Sequence, residues 1–177
     1  MYLTEHFGLS LGALVVWGFM MAFFFNLFLW FADLKRDKVL LITSFFAFIS
    51  YFVSDHLFTW FESSQIYLQW ALYDIATLGV IFASAFMVKP NLKSPAFFYV
   101  VLGLIANTFL FFSMYYDLHV IENTKTWILW DIYSFGVNII DFTMIVALIV
   151  DRDILGLIKL KHVVMSFFKT RRINHSI

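Results

Sequence analysis

Long apolar runs, separated by short polar segments, make up most of this 177-residue chain. Five of these runs are long enough to cross a hydrocarbon core as helices, which takes about 20 residues at about 1.5 Å rise each. They are Phe7–Phe31, Val39–Phe61, Ile66–Val88, Ala96–Tyr116 and Trp127–Val150. Because the ten-residue alternation of membrane strands is missing from the pattern, the sequence predicts an all-α integral membrane protein with five transmembrane helices.

Composition supports this fold class. The chain is 62% hydrophobic and 14% charged, whereas a soluble domain has roughly 45–50% apolar and about 25% charged residues. It contains no cysteine, which excludes disulfides, thiolate metal sites and cysteine nucleophiles. We therefore divide the chain into a transmembrane domain, residues 1–150, and a basic tail, residues 151–177.

The basic residues predict the orientation, because Lys and Arg near helix ends resist translocation. Eleven of the twelve fall on one side of the predicted spans: Lys35, Arg36, Lys38, Lys89, Lys93, Arg152, Lys159, Lys161, Lys169, Arg171 and Arg172. Lys125 falls on the other side. The amino terminus is therefore expected outside and the carboxyl terminus in the cytoplasm, most simply in a bacterial inner membrane.

An internal repeat links the third and fifth spans. Residues 70–80, WALYDIATLGV, match residues 127–137, WILWDIYSFGV, at six of eleven positions, including Trp, Asp and Gly. Both spans run from outside to inside, so the sequence predicts a duplicated helical hairpin, spans two and three followed by spans four and five. The alternative is chance similarity. Gly79 and Gly136, equivalent in the two copies, are predicted helix-packing positions, since small residues let helices approach closely in lipid.

Polar residues on span five recur at steps of four and three, which places them on one helical stripe. They are Trp127, Asp131, Ser134, Asn138 and Asp141. Span three repeats the stripe with Asp74 and Thr77. Because a carboxylate at the centre of a bilayer costs at least about 2.5–3.5 kcal/mol, we expect the stripe to face protein or water.

The stripe suggests a cation or proton pathway. In this interpretation three carboxyl groups act as successive stations and neutral oxygens lie between them. The stations are Asp74, Asp131 and Asp141, and the neutral groups are Thr77, Ser134 and Asn138. Asp55 and His56 on span two add an acidic outer vestibule, and Asn107 on span four adds a polar group at mid-depth. The alternative is that these groups only hydrogen-bond between helices and fix their packing.

Neither a metal site nor an enzyme is expected. The chain lacks H-x-x-x-H and H-E-x-x-H spacings, and adjacent residues such as Asp55 and His56 diverge by about 100° on a helix. It also lacks a G-x-S-x-G motif, a P-loop and a dinucleotide fingerprint. No cofactor is expected, although histidines near outer acids leave a membrane hydrolase as a minor alternative.

The tail predicts an amphipathic helix at the cytoplasmic membrane surface, held there by anionic lipids. Its basic residues are candidates for membrane-surface or partner docking: Lys159, Lys161, Lys169, Arg171 and Arg172. A docking helix for a partner protein fits the same pattern.

Two functions fit these features. The first is a small multi-pass protein that forms part of a cation or proton transport pathway, as an oligomer because one chain offers little room for a complete path. The second is a noncatalytic membrane subunit or scaffold that packs against a partner through its polar helix faces and tail. No nucleic-acid partner is expected.

Overall fold

The structure is a computed structural model that describes residues 2–35, 37–56, 65–88, 94–157 and 159. For residues 2–10 and His56 it describes the backbone alone. Four of the five tail residues assigned to docking, Lys161, Lys169, Arg171 and Arg172, lie outside the described residues. The predicted amphipathic helix therefore stays a prediction.

The described residues form five α-helices, which confirms the predicted number of spans. They are α1 (Tyr2–Phe31), α2 (Lys38–His56), α3 (Ile66–Met87), α4 (Pro95–His119) and α5 (Ile128–Val150). Each contains a stretch of 18 to 25 residues with a mean hydropathy of 1.5 to 2.0, long and apolar enough to cross a membrane. These properties indicate a multi-pass membrane protein.

Helix ends differ from the predicted spans by a few residues. α4 begins at Pro95, which occupies the first turn, where the missing N–H of proline is tolerated. Ser94 caps this helix, since its hydroxyl accepts a hydrogen bond from the Phe97 N–H at 3.4 Å. The helix continues to His119, almost a turn beyond the predicted end. α2 ends at His56, and the rest of its predicted span lies outside the described residues.

The helices form a closed ring. α1 packs against α2, α2 against α3, α3 against α4, α4 against α5, and α5 returns to α1, while α2 also reaches α4 across the interior. The α4–α5 connection marks the outer end of the ring in the predicted orientation, and we use "outer end" and "inner end" in that sense. The inner half is filled by an apolar core that includes Phe19, Ile81, Leu104, Met144 and Leu148, all fully buried.

The outward surface of the ring is apolar. Phe31, Phe86, Phe109 and Phe135 are each 70 to 85% exposed. In water such a surface would be unfavourable by roughly 25 cal/mol per Å², whereas acyl chains are as apolar as the side chains themselves. The surface therefore agrees with helices that face lipid.

The α4–α5 connection is tied at the outer end by one carboxyl group. Asp117, buried near the end of α4, accepts hydrogen bonds from the indole N–H groups of Trp127 at 3.0 Å and Trp130 at 2.9 Å. The Asn123 side-chain amide donates to the same carboxyl group at 3.2 Å. These contacts hold the connection against the end of α4 and fix where α5 begins.

The two segments that match in sequence occupy different environments. Asp74 in α3 is buried, but its equivalent Asp131 in α5 is exposed. Gly79 is exposed, and a methyl group added to it would meet no atom within 4 Å, so its role in helix packing stays a prediction without a contact in this chain. Gly136 does meet a neighbour, since an added methyl group would lie 3.3 Å from Leu110 of α4. The duplicated hairpin therefore remains a prediction based on sequence alone.

Close helix approach occurs instead at two other glycines. A methyl group at Gly18 of α1 would overlap Ile145, and one at Gly103 of α4 would overlap Met144, both on α5. These glycines let α1 and α4 pack closely against the same stretch of α5. Of the glycines in the described helices, these two lie closest to a neighbouring helix, and no repeat signal points to either of them.

Candidate functional site

A cavity of about 340 Å³ lies in the outer half of the ring. All five helices line it, with Val15 from α1, Tyr51 from α2, Asp74 from α3, Phe111 from α4 and Asp141 from α5. Since the walls come from every helix, the cavity is complete within one chain. It extends from the outer helix ends down to the middle of α5.

Asp141 forms the polar floor of the cavity. Its side chain is buried, and its Oδ1 accepts hydrogen bonds from the Tyr51 hydroxyl at 2.5 Å and from the Asn107 amide at 2.7 Å. The Asn107 amide also lies 3.3 Å from the Tyr51 hydroxyl, and the Tyr51 ring packs on Phe19 with the ring centroids 4.2 Å apart. Through these two hydrogen bonds, α2 and α4 hold Asp141 in place.

Asp74 lies on the facing wall and is less completely satisfied. Its side chain is 6% exposed, and its Oδ2 has no hydrogen-bond partner among the described residues. The carboxyl groups of Asp74 and Asp141 are close enough to interact electrostatically. A buried acceptor without a donor is costly, since it loses water without gaining a partner. The wall of the cavity therefore contains one buried acidic oxygen without a donor among the described residues.

Aromatic rings form the outer wall. Trp70, Phe111 and Tyr133 line the cavity and, with Tyr67, make a closed cycle of ring contacts. The centroid distances around this cycle are 5.7 Å for Tyr67 and Trp70, 5.5 Å for Trp70 and Phe111, 6.0 Å for Phe111 and Tyr133, and 5.4 Å for Tyr133 and Tyr67. The cycle joins α3, α4 and α5, so the electron-rich faces of these rings are held in one region.

An apolar core separates the cavity from the inner end of the ring. Directly below Asp141 and Tyr51 the ring is packed with Phe19, Ile81 and Met144, each at most 1% exposed. Cores of this density leave few voids as large as a water molecule. The cavity therefore approaches the membrane interior from the outer side and ends near mid-depth.

The inner end carries a second polar cluster. Asp151, which follows α5, accepts a hydrogen bond from the Lys35 ammonium at 2.5 Å and one from the Ser94 hydroxyl at 2.7 Å. Its carboxyl group also accepts from the Ala96 N–H at 3.2 Å, at the start of α4. One side chain thus links the α1–α2 connection, the start of α4 and the end of α5.

The cavity includes many, but not all, of the site residues predicted from the sequence. Asp74, Asp141, Asn138, Ser134 and Asp55 line it. Thr77 is buried beside it, where its hydroxyl contacts the Ser50 hydroxyl and donates to the Tyr73 carbonyl at 2.7 Å. The side chain of His56 lies outside the described residues.

Asp131 is the exception. It is exposed and does not line this cavity. At 3.6 residues per turn, Asp131 is rotated by about 80° from Asp141 but by only about 20° from Asn138, which lines the cavity, so rotation about the helix axis does not account for its exposure. The role of Asp131 as one of three successive stations therefore stays a prediction that this cavity does not support.

Tyr51 is the principal site residue that sequence reasoning missed. The chain contains eight tyrosines, and nothing in the local pattern separates Tyr51 from the others. A weak signal was available, since Tyr51 lies at the same predicted depth as the polar groups on spans four and five.

Among the described residues no group of three His, Cys, Asp or Glu side chains is arranged to hold a metal ion.

Comparison with known proteins adds no assignment. No protein-family model matches the chain, and neither a curated protein nor a solved structure matches it. The functional argument therefore depends on the geometry of the cavity.

Proposed function

We propose that this protein moves cations or protons across a membrane, with Asp141 and Asp74 as the groups that receive the ion or proton. One observation carries the proposal, namely that two buried carboxyl groups from different helices share one cavity in the outer half of the ring. Ionisable groups at membrane depth are expensive, and they commonly mark ion or proton pathways. Lys and Arg are missing from the described lining residues, so the cavity favours positive charge.

Transport requires an inner route in addition to the outer cavity. The apolar core below Asp141 closes this route in the conformation described here. We therefore favour a carrier that changes conformation over an open channel, because the core must part before an ion or proton can leave the floor of the cavity. Oligomerisation remains part of the proposal, although the cavity itself needs no second chain.

The test is flux through the purified protein in proteoliposomes. Asp141→Asn removes the charge and keeps the shape, so we expect it to lower cation or proton flux at least about tenfold. Such a loss corresponds to about 1.4 kcal/mol. Asp131→Asn is the matched control, because it makes the same change on the same helix outside the cavity, and it should retain wild-type flux.

A wild-type protein without flux of protons or small cations would contradict the proposal. Equal flux in Asp141→Asn and wild type would contradict it as well. The absence of wild-type flux favours the alternative of a noncatalytic membrane subunit, whereas equal flux in the two proteins removes Asp141 from the pathway. Elution and melting of each variant should be measured first, so that a loss of flux is not a loss of folding.

A further inference from the structure

The cavity is large for a bare ion. At about 340 Å³ it falls within the range of small-molecule pockets, roughly 300–1,000 Å³. A proton relay needs only a chain of polar groups, and an inorganic cation needs a compact shell of oxygen ligands. Five of the fifteen lining residues are aromatic, so part of the extra volume is suited to the apolar body of an organic molecule.

The charge of the lining restricts that molecule to a cation. Asp74 and Asp141 lie deep in the cavity and Asp55 lies near its outer end, while the described lining residues include neither Lys nor Arg. An anionic group placed here would have acidic neighbours and no cationic partner. An ammonium group would meet two carboxyl groups, where it is stabilised by charge and by hydrogen bonding.

The hydrogen bonding of the two acids gives them different tasks. Asp141 Oδ1 already accepts from Tyr51 and Asn107, so it is held by the protein. Asp74 Oδ2 is buried and accepts from none of the described residues. It lacks a donor, and an ammonium group that carries N–H bonds supplies one. A quaternary ammonium ion has no such hydrogen and would leave this oxygen unsatisfied.

The aromatic wall complements the charge. Trp70, Phe111 and Tyr133 line the cavity beside the acids, and their positions are held by the cycle of ring contacts with Tyr67. Aromatic faces attract cations within about 6 Å, most strongly for Trp, and they also pack against apolar or aromatic groups. The wall thus has surfaces for both the ammonium group and the carbon body attached to it.

We infer that the cavity binds a small organic ammonium ion, one that carries N–H bonds and an apolar body, with Asp74 accepting from the ammonium and the aromatic wall contacting the body. This inference rests on the proposed function, since it names the class of cation that the same site receives. The binding itself needs neither flux nor a membrane potential and can be measured separately.

The experiment is equilibrium binding to the full chain in detergent or nanodiscs, with phenethylammonium as the probe. Three analogues vary one property at a time: neutral 2-phenylethanol, anionic 3-phenylpropanoate, and phenethyltrimethylammonium, which has no N–H. We expect saturable binding of phenethylammonium. The alcohol and the quaternary ion should each bind at least about tenfold more weakly, the loss expected for one charge-assisted hydrogen bond, and the anion should not bind.

Variants locate the site. Asp74→Asn should weaken phenethylammonium binding by about 10- to 100-fold, because it removes the charge-assisted contact. Asp131→Asn, the equivalent change in the other copy of the repeat, should leave binding unchanged, since Asp131 is exposed and outside the cavity. The comparison of analogues uses the wild-type protein, so it tests the inference even if a variant fails to fold.

Several results would overturn the inference. They are no saturable binding of phenethylammonium, equal binding of the alcohol or of the quaternary ion, and equal losses in Asp74→Asn and Asp131→Asn. Binding without flux would overturn the transport proposal and leave the ammonium site standing. Flux of protons or inorganic cations without amine binding would do the reverse.

Discussion

At the scale of single residues, the two buried acids differ in how the protein holds them. Asp141 is bonded to α2 through Tyr51 and to α4 through Asn107, whereas one oxygen of Asp74 has no donor among the described residues. A fully bonded polar group stabilises the packing of helices, and an incompletely bonded one is a cost that folding alone does not explain. The functional argument is therefore strongest for Asp74, while Asp141 combines a structural role with a functional one.

Tyr51→Phe tests the structural part of this argument. The change removes the hydroxyl that donates to Asp141 and leaves the ring packed on Phe19. We expect the free energy of unfolding in detergent to fall by about 1–2 kcal/mol, near the upper end of interhelical hydrogen bonds in membranes. Ser113→Ala is the control, since this exposed hydroxyl bonds only within its own helix, to the Phe109 carbonyl. Equal stability of Tyr51→Phe and wild type would contradict the assigned role.

The sequence predicted burial correctly for the carboxyl groups that lie far from the ends of their spans. Asp141 and Asp74 lie well inside their spans, and both are buried. Asp131 lies in the first turn of α5, and it is exposed. Whether a residue so near a helix end lines the cavity depends on how the outer ends of the five helices pack together, which no local pattern encodes.

At the scale of elements, α5 is fitted closely between two neighbours. Gly18 of α1 faces Ile145, and Gly103 of α4 faces Met144, which is 1% exposed. In lipid the driving force for helix association is packing and hydrogen bonding, since lipid tails are as apolar as the side chains. The absence of a side chain at these glycines therefore determines how near the helices lie.

Gly103→Ala and Gly79→Ala form a matched pair. An added methyl group at Gly103 would overlap Met144, whereas at Gly79 it would meet no atom within 4 Å. Overpacking typically costs about 1–3 kcal/mol, and an Ala in a helix gains up to about 1 kcal/mol over Gly. We expect Gly103→Ala to lower the melting temperature and Gly79→Ala to keep or raise it, as measured in the same detergent. A reversed order would contradict the close approach of α4 and α5.

At the scale of the whole molecule, the sequence predicted which segments cross the membrane but not how they surround a cavity. Span number follows from hydropathy and length, and the five helices match the five apolar runs within a few residues. The ring order, with α5 closing against α1, arises from contacts distant in sequence, such as the Asn26 amide donating to the Leu148 carbonyl at 3.0 Å. The cavity forms because the ring closes. The hydrogen bond from Tyr51 to Asp141 therefore exists only in the folded ring and cannot be predicted from the local sequence around Tyr51.

The inner cluster completes this arrangement. Lys35 and Ser94 converge on Asp151, which has a left-handed backbone with φ of 46° and ties three segments together at the inner end. With the apolar core above it, this cluster closes the side of the ring opposite the cavity. Access at the outer end and closure at the inner end of the ring are thus properties of the whole ring, and they follow from its two polar clusters and the core between them.

The natural lack of cysteine allows this closure to be tested with single substitutions and a membrane-impermeant thiol reagent. Ser54 lines the cavity and Ala85 lies in the core below it, 5% exposed. We expect Ser54→Cys to react from the outer side and Ala85→Cys to stay unreacted, because the reagent needs water to reach a thiol. Lys125→Cys and Leu34→Cys, both exposed at opposite ends of the ring, report which side of the membrane each end faces. Equal reaction at positions 54 and 85 would show that the core admits water, and reaction of Lys125→Cys only from the cytoplasmic side would reverse the predicted orientation.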